Sequence, residues 1–137
     1  MKRVFQNYVL FLILIVVVGC SKNLPISGTV TFSDDGSPLS AGAVIFDDGV
    51  KQARAAIKPD GSFVMGFEKE NNGVPAGNYN VTISGAVKLL PNPDNIYPPP
   101  NENLIDEKYA NPTTSELTIK VDGSNSKFNI KVDRPKK

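Results

Sequence analysis

The sequence predicts an all-β fold, an antiparallel Greek-key β-sandwich of about seven strands. Three observations lead to this prediction. Short segments show apolar and polar residues in alternation, which is the pattern of a strand with one buried face. Glycines and prolines, eleven of each, lie between these segments and indicate many turns. No segment after the N-terminal apolar run has the period of an amphipathic helix.

Residues 1–19 have the features of a cleaved signal peptide. Lys2 and Arg3 supply the positive start, and residues 8–18 form an uninterrupted apolar run. A run of this length is too short for a transmembrane helix, which needs about 20 residues. The alternative is an uncleaved anchor that ends in an incidental cysteine. The charged start, the short apolar run and the small residue Gly19 before the cysteine favour cleavage.

The chain's one cysteine, Cys20, directly follows this run. The sequence Val17-Val18-Gly19-Cys20 resembles the bacterial lipobox, in which cleavage before the cysteine accompanies attachment of acyl chains such as palmitate. The resemblance implies a lipoprotein cleaved between Gly19 and Cys20 and held in a membrane through Cys20. An acylated cysteine is excluded as a nucleophile or redox group. The bacterial cell envelope is the expected location, and Ser21 favours the outer membrane by analogy with lipoprotein sorting.

After the signal peptide, residues 20–25 form the lipidated cysteine and a short tether, and residues 26–134 form the sandwich domain. The tether reaches about 17 Å when extended, so we expect the domain to lie close to the bilayer. Alternation of apolar and polar residues predicts the strands, in order, at residues 26–32, 41–47, 52–57, 62–67, 78–84, 116–121 and 127–132.

The connections between these strands differ in how strongly the sequence specifies them. Residues 58–62, Lys-Pro-Asp-Gly-Ser, are the strongest hairpin signal, because proline suits the first turn position and Gly61 tolerates a positive φ. The last two strands are expected to form a hairpin across residues 122–126. Residues 85–115 are predicted to be a long, irregular, proline-rich loop.

Alternating strand directions would sort the connections between the two ends of the sandwich. The turns at 33–39 and 58–61 and the proline-rich loop would lie at the end away from the bilayer. The loops at 47–49, 68–77 and 122–126 would face the bilayer. A docking partner is therefore expected at the end that carries the proline-rich loop.

The composition excludes several classes of function. With 15 basic and 14 acidic residues, the chain has no charge excess to attract nucleic acid. It has no histidine, the commonest general base, and one cysteine makes neither a disulfide nor a Cys/His zinc site. The acidic residues at 34–35, 47–48 and 60 lack the spacing of a calcium loop and are typical of turns. We therefore expect no enzyme activity, no metal and no cofactor.

Several short motifs together resemble the carboxypeptidase regulatory-like domain family. In order, they are Ser27-Gly28-Thr29-Val30, Asp35-Gly36-Ser37-Pro38-Leu39, Gly42-Ala43-Val44-Ile45-Phe46, Asp60-Gly61-Ser62-Phe63 and Pro75-Ala76-Gly77-Asn78-Tyr79-Asn80-Val81. Residues 107–121 are similar to the end of a subgroup of small bacterial lipoproteins with this domain. The resemblance implies a transthyretin-like sandwich without the zinc peptidase that gives the family its name.

The same resemblance implies structural roles, and no chemistry, for Gly36, Pro38, Gly61, Gly77 and Tyr79. The glycines permit tight turns, and Pro38 stiffens the approach to the second strand. Tyr79 resembles the tyrosine corner of Greek-key sandwiches, in which the hydroxyl bonds to nearby backbone.

The proline-rich loop is the candidate for contact with a partner. Pro98, Pro99 and Pro100 favour an extended polyproline II conformation, which suits recognition. The large side chains available to a partner are those of Ile96, Tyr97 and Tyr109. The alternative is an ordered wrap over a sheet edge or a floppy insert, and the sequence leaves both interpretations open.

These features predict a non-catalytic, lipid-anchored β-sandwich module of the cell envelope, either structural or protein-binding. The alternative is a carbohydrate-binding module at the cell surface. Such modules usually present coplanar aromatic rings, yet this chain has no tryptophan. The expected partners are the membrane, through the N-terminal lipid, and an envelope protein or a glycan.

Overall fold

The structure of the protein is a computed structural model that describes residues 22–67, 69 and 72–137. The predicted signal peptide, with Gly19 and Cys20, lies outside the described residues. The elements, in chain order, are β1 (Ser27–Phe32), β2 (Ala43–Asp47), β3 (Gln52–Ala56), β4 (Ser62–Val64), β5 (Gly77–Ser84), β6 (Val87–Leu89), β7 (Asn101–Asn103), a 3-10 helix (Glu107–Ala110), β8 (Leu117–Val121) and β9 (Lys127–Val132).

Two sheets contain most of these strands. A three-stranded sheet has the order β4-β1-β9, and a four-stranded sheet has the order β3-β2-β5-β8. Neighbouring strands are antiparallel except β1 and β9, which run parallel. β6 and β7 form a separate two-stranded ladder. The prediction of an all-β fold with antiparallel sheets is confirmed, and one parallel pair is added to it.

The core lies between the two sheets because each strand turns its apolar side inward. Phe46 of β2 meets Phe63 of β4 across the core with ring centroids 6.5 Å apart, and it meets Tyr79 of β5 at 5.7 Å. Other buried residues of the inner faces surround them, among them Val30, Phe32, Val44, Ala53, Ala55, Val81, Ile83, Val121, Ile130 and Val132. Removal of this apolar surface from water is the main force that holds the two sheets together.

The predicted hairpin of the last two strands is wrong. β8 pairs with β5 in the four-stranded sheet, and β9 pairs with β1 in the three-stranded sheet. Residues 122–126 therefore carry the chain from one layer to the other. The alternating pattern identifies which side chains of these strands face the core. It does not identify the neighbouring strand, because a strand with one apolar face fits either sheet.

The turn at 58–62 forms as predicted, but the strands on its two sides separate. The Gly61 amide donates to the Lys58 carbonyl at 2.8 Å, and Gly61 has a φ of +80°. The Lys58 amide donates to the Ser62 carbonyl at 2.9 Å. After the turn, β4 pairs with β1 in the opposite layer, and an isolated bridge joins Arg54 of β3 to Gly66.

The strand directions place the connections at the two ends that the alternation predicts. Leu24, just before β1, exchanges two backbone hydrogen bonds with Val74, at 2.7 and 2.9 Å. This contact ties the start of the domain to the segment before β5. β1, β5 and β9 all run away from this end, so Ala86 and the β6–β7 ladder begin at the opposite end. In the part of the chain that the structure describes, no helix is long and apolar enough to cross a membrane.

Candidate functional site

The proline-rich segment contains a hairpin that the sequence analysis does not predict. β6 and β7 pair antiparallel, with Leu89 opposite Asn101. The Leu90 amide extends the ladder by donating to the Pro100 carbonyl at 2.9 Å. Val87 is half-buried and the other residues of both strands are exposed. The hairpin therefore projects from the sandwich into solvent.

The side chain of Asn92 closes the loop at the end of this hairpin. Its amide nitrogen donates to the Ile96 carbonyl, and its amide oxygen accepts from the Ile96 N–H, both at 2.9 Å. The Asn95 N–H donates to the Asn92 carbonyl at 3.2 Å, and Asn95 has a φ of +50°, which asparagine tolerates better than most residues. These bonds restrain the loop. The Tyr97–Pro98 peptide bond is cis.

Residues 89–100, which we call the hairpin tip, expose large apolar side chains. The exposed fractions are 65% for Leu89, 37% for Leu90, 60% for Ile96 and 93% for Tyr97. Asp94 is the sole charged residue of the tip. Clustered exposed apolar side chains are typical of interaction sites, because burying them contributes roughly 25 cal/mol per Å².

The tip contains most of the predicted contact residues, but they are not equally accessible. Ile96, Tyr97 and Pro98 are exposed. Pro99 and Pro100 are half-buried, and both of their carbonyl oxygens accept hydrogen bonds within the hairpin. The apolar side chains around the loop therefore offer more contact surface than a free polyproline segment does.

Tyr109 is a correction to the predicted contact residues. Its side chain is 4% exposed and belongs to the core, so it presents no surface to a partner. Conversely, the sequence analysis misses Leu89 and Leu90. A signal for them exists, since two adjacent apolar residues on an extended segment place one side chain on each face, and neither face is needed for the core here.

Residues 104–110 form an ordered wrap, one of the two interpretations that the sequence leaves open. The Leu104 amide donates to the Ala86 carbonyl at 2.9 Å, which closes the base of the hairpin. The Asp106 amide donates to the Asp133 carbonyl at 2.9 Å, which joins the segment to the end of β9. Ile105 is buried in the core. The wrap thus fixes the hairpin base to the sandwich.

Asp133 is the centre of a polar network at this wrap. Its carboxylate accepts hydrogen bonds from the Lys108 ammonium at 2.8 Å, from the Tyr109 hydroxyl at 2.9 Å and from the Ser33 hydroxyl. These bonds, above all that from Lys108, hold the pKa of Asp133 well below its usual range. The same bond raises the pKa of Lys108, and burial raises the pKa of Tyr109.

Arg134 makes a second set of contacts at the same end of the sandwich. Its guanidinium donates to Asp34 at 2.9 Å and to Asp35 at 3.0 Å, and it lies 3.8 Å from the centroid of the Phe32 ring. Hydrogen bonds from the Ser37 hydroxyl and amide, with a smaller effect of Arg134, lower the pKa of Asp35 to about 2. Exposed ion pairs contribute little one by one, but this set joins the end of the chain to the turn after β1.

Acidification is expected to weaken these contacts. The pKa values of Asp35 and Asp133 in the folded protein lie below the usual unfolded value of about 3.9. A carboxylate with a lowered pKa contributes its stability above the unfolded pKa and loses it as the pH falls towards the folded pKa. The free energy of unfolding, measured by urea denaturation, should therefore decrease as the pH falls from about 4 to about 2.

An Asp133→Asn variant should lose part of this pH dependence, since one of the two carboxylates is gone. Asp94→Asn serves as the matched control, because Asp94 lies in the hairpin tip away from the network, and it should keep the pH dependence of the unchanged protein. An Asp133→Asn protein with an unaltered pH dependence would show that the network at the wrap contributes nothing to stability.

Three Asp-Gly-Ser sequences form the same turn. In each, the aspartate carboxylate accepts hydrogen bonds from the amide and the hydroxyl of the serine two residues later, in the pairs Asp35–Ser37, Asp60–Ser62 and Asp122–Ser124. The intervening Gly36, Gly61 and Gly123 have positive φ angles. The carboxylates are used inside the turns. Among residues 22–67, 69 and 72–137, no group of three or more His, Cys, Asp or Glu side chains is placed to hold a metal ion.

The tyrosine corner that the family resemblance implies is present. The Tyr79 hydroxyl donates to the Pro75 carbonyl at 2.7 Å. A Cβ on Gly77 would come within 3.7 Å of the Tyr79 ring. Gly61 packs closely on Pro38, since a Cβ at position 61 would lie 2.8 Å from the Pro38 Cβ. These residues maintain the loops that hold the strand ends.

The cavities of the described residues are unlike a small-molecule site. A cavity of about 80 Å³ lies between the hairpin base and the 3-10 helix, lined in part by Ala86 and Ile105. Ligand pockets usually have volumes of about 300–1,000 Å³. A groove of about 420 Å³ crosses the outer face of the three-stranded sheet, past Thr29, Val64 and Asn129, and is wide open to solvent. The hairpin tip is therefore the more distinctive surface.

Comparison with known proteins supports the fold and goes no further. No protein-family model matches the chain, and no curated protein matches it. Among solved structures, it is similar to the major pilin subunit BcpA of Bacillus cereus, with a TM-score of 0.51 and 11% identity over 84% of this chain and 30% of the pilin subunit. A 9R-lipoxygenase from Cyanothece PCC8801 has a TM-score of 0.38 and 14% identity over 80% of this chain and 16% of the enzyme. At these identities, the pilin similarity establishes a shared β-rich fold for this chain.

Proposed function

We propose that this protein is a non-catalytic, lipid-anchored module of the bacterial cell envelope that binds a protein partner through the hairpin tip. One observation carries the proposal: a restrained hairpin holds Leu89, Leu90, Ile96 and Tyr97 in solvent. A chain that gains nothing from these contacts would be expected to bury such side chains or replace them with polar ones.

The position of the hairpin supports the same proposal. Its base lies at the end of the sandwich opposite Leu24, where the domain joins its N-terminal segment. With a lipid on Cys20 and a short tether, the end near Leu24 would face the bilayer. The hairpin tip would then point away from the membrane, where a second envelope protein is accessible.

The carbohydrate-binding alternative has less support. Glycan platforms need several exposed rings in one plane, whereas Tyr79 and Tyr109 are buried and Phe46 and Phe63 fill the core. Tyr97 alone does not make a platform. Membership of the carboxypeptidase regulatory-like family remains part of the proposal, and the corner formed by the Tyr79 hydroxyl supports it.

The test is photo-crosslinking from within the full-length lipoprotein in its own cells. A photoreactive phenylalanine analogue is placed at Tyr97 in one strain and at Val50 in another. Val50 is the matched control, because it is an apolar residue that is 87% exposed and lies in the turn after β2, at the opposite end from the hairpin base.

We expect a defined protein adduct from position 97 and none from position 50. Mass spectrometry of the adduct identifies the partner, and Ile96→Asp in the same protein should reduce the adduct. Equal adducts from both positions would indicate non-specific contact, and no adduct from position 97 would reject the tip as the binding site.

A further inference from the structure

The hairpin tip is apolar on both of its faces. Leu89 and Leu90 are consecutive residues of an extended strand, the first opposite Asn101 and the second bonded through its amide to the Pro100 carbonyl. Successive side chains of such a strand point to opposite faces. Both leucines are exposed, by 65% and 37%. A partner that covers one face leaves the leucine of the other face in water.

The apex of the hairpin is polar. Residues 93–95 are exposed, and they include Asp94 and Asn95, whereas the large apolar side chains lie behind them along the hairpin. Insertion of the hairpin into a bilayer or a closed pocket would bury the Asp94 carboxylate first. Burial of an unpaired carboxylate is costly, so both arrangements are disfavoured.

A second copy of this chain also fits poorly. In a two-fold symmetric pair, the same face of each hairpin meets its equivalent. One leucine of each copy would then be buried and the other would stay exposed. The two-sided apolar surface requires walls on both sides of one hairpin.

We infer that the partner binds the hairpin in an apolar groove that is open at its far end. The two walls of the groove contact the two faces of the hairpin at Leu89 and Leu90, and the apex at Asp94 emerges into water. This inference rests on the proposed function and names the kind of partner surface. Restraint of the loop by the two Asn92–Ile96 hydrogen bonds suits such a groove, because a preorganised hairpin loses less conformational entropy on binding.

The test places the photoreactive residue at Leu89, Leu90 or Asp94, one at a time, in the full-length lipoprotein in its own cells. We expect positions 89 and 90 to crosslink to the same protein, at two different peptides of that protein, and position 94 to crosslink to no protein or lipid. An adduct from only one of the two leucine positions would overturn the groove in favour of one-sided docking. A protein adduct from position 94 would indicate a closed pocket, a lipid adduct would indicate a bilayer, and an adduct with this same chain would indicate a dimer. Each of these results overturns the inference.

A second measurement uses the Tyr97 crosslink as its readout. Leu89→Asp and Leu90→Asp should each reduce that adduct about tenfold or more, as expected for anchor residues of an interface. Asp94→Asn and Val50→Asp should leave it unchanged. All four positions are exposed, so thermal unfolding should confirm that the fold is kept. If position 97 gives an adduct but one leucine variant has no effect, the groove is wrong and the proposed function stands. If positions 89, 90 and 97 all give none, the proposed function falls as well.

Discussion

Replacing Gly28 with alanine is expected to lower the free energy of unfolding by about 3 kcal/mol or more. A Cβ at this position would lie 2.1 Å from the carbonyl oxygen of Phe128 and 2.7 Å from a ring carbon of Phe63. The carbonyl belongs to β9, which pairs parallel with β1 at this point, and the ring belongs to the buried core. Neither neighbour is able to move without separating two strands or opening the core. Urea denaturation of the purified protein measures the loss.

Gly36→Ala is the matched control for this substitution. Gly36 has a φ of +71°, and no atom lies within 4 Å of the position of its missing Cβ. Its replacement costs the backbone preference alone, about 1 kcal/mol. If Gly28→Ala were no more destabilising than Gly36→Ala, the close parallel contact of β1 and β9 would be contradicted.

Replacing Cys20 with alanine is expected to abolish acylation completely. The chain has no other cysteine, so no second thiol substitutes for it. Several acyl chains on one residue provide stable membrane attachment, whereas a single chain is marginal. The Cys20→Ala protein should therefore fail to incorporate a palmitate analogue and should leave the membrane fraction. Metabolic labelling and flotation of membranes measure these two results.

Ser21→Ala is the control for this experiment, because it alters the next residue and leaves the thiol. It should be labelled as the unchanged protein is. Normal labelling of the Cys20→Ala protein would contradict the lipobox interpretation. It would also remove the argument that the hairpin tip points away from a bilayer, although the exposure of Leu89 and Tyr97 would be unaffected.

Local signals account for the parts of the fold that the sequence analysis predicts correctly. The turn at 58–62 forms because Pro59 and Gly61 have the backbone preferences that the turn requires. Tyr79 bonds to Pro75, four residues earlier, so the whole corner is contained in a short segment. The alternating strands point the expected residues inward, among them Ala53, Ala55 and Val81.

Of the candidate site, the sequence identifies the segment and part of the surface. Ile96 and Tyr97 are exposed in the hairpin tip, as predicted for contact residues. Tyr109 is not, because the 3-10 helix turns its ring into the core and its hydroxyl to Asp133, which is distant in sequence. Nothing in the residues near Tyr109 indicates that contact.

By itself, the sequence determines the all-β class, the positions of the inward-facing side chains and the turns with strong backbone preferences. The tertiary structure alone decides that β9 lies parallel to β1, that β8 and β9 belong to different sheets and that the proline-rich segment folds as a hairpin. The physical reason is the range of the interactions. Alternation and turn chemistry act between residues that are close in the chain. Strand pairing is decided by which apolar faces, from distant parts of the chain, bury each other best.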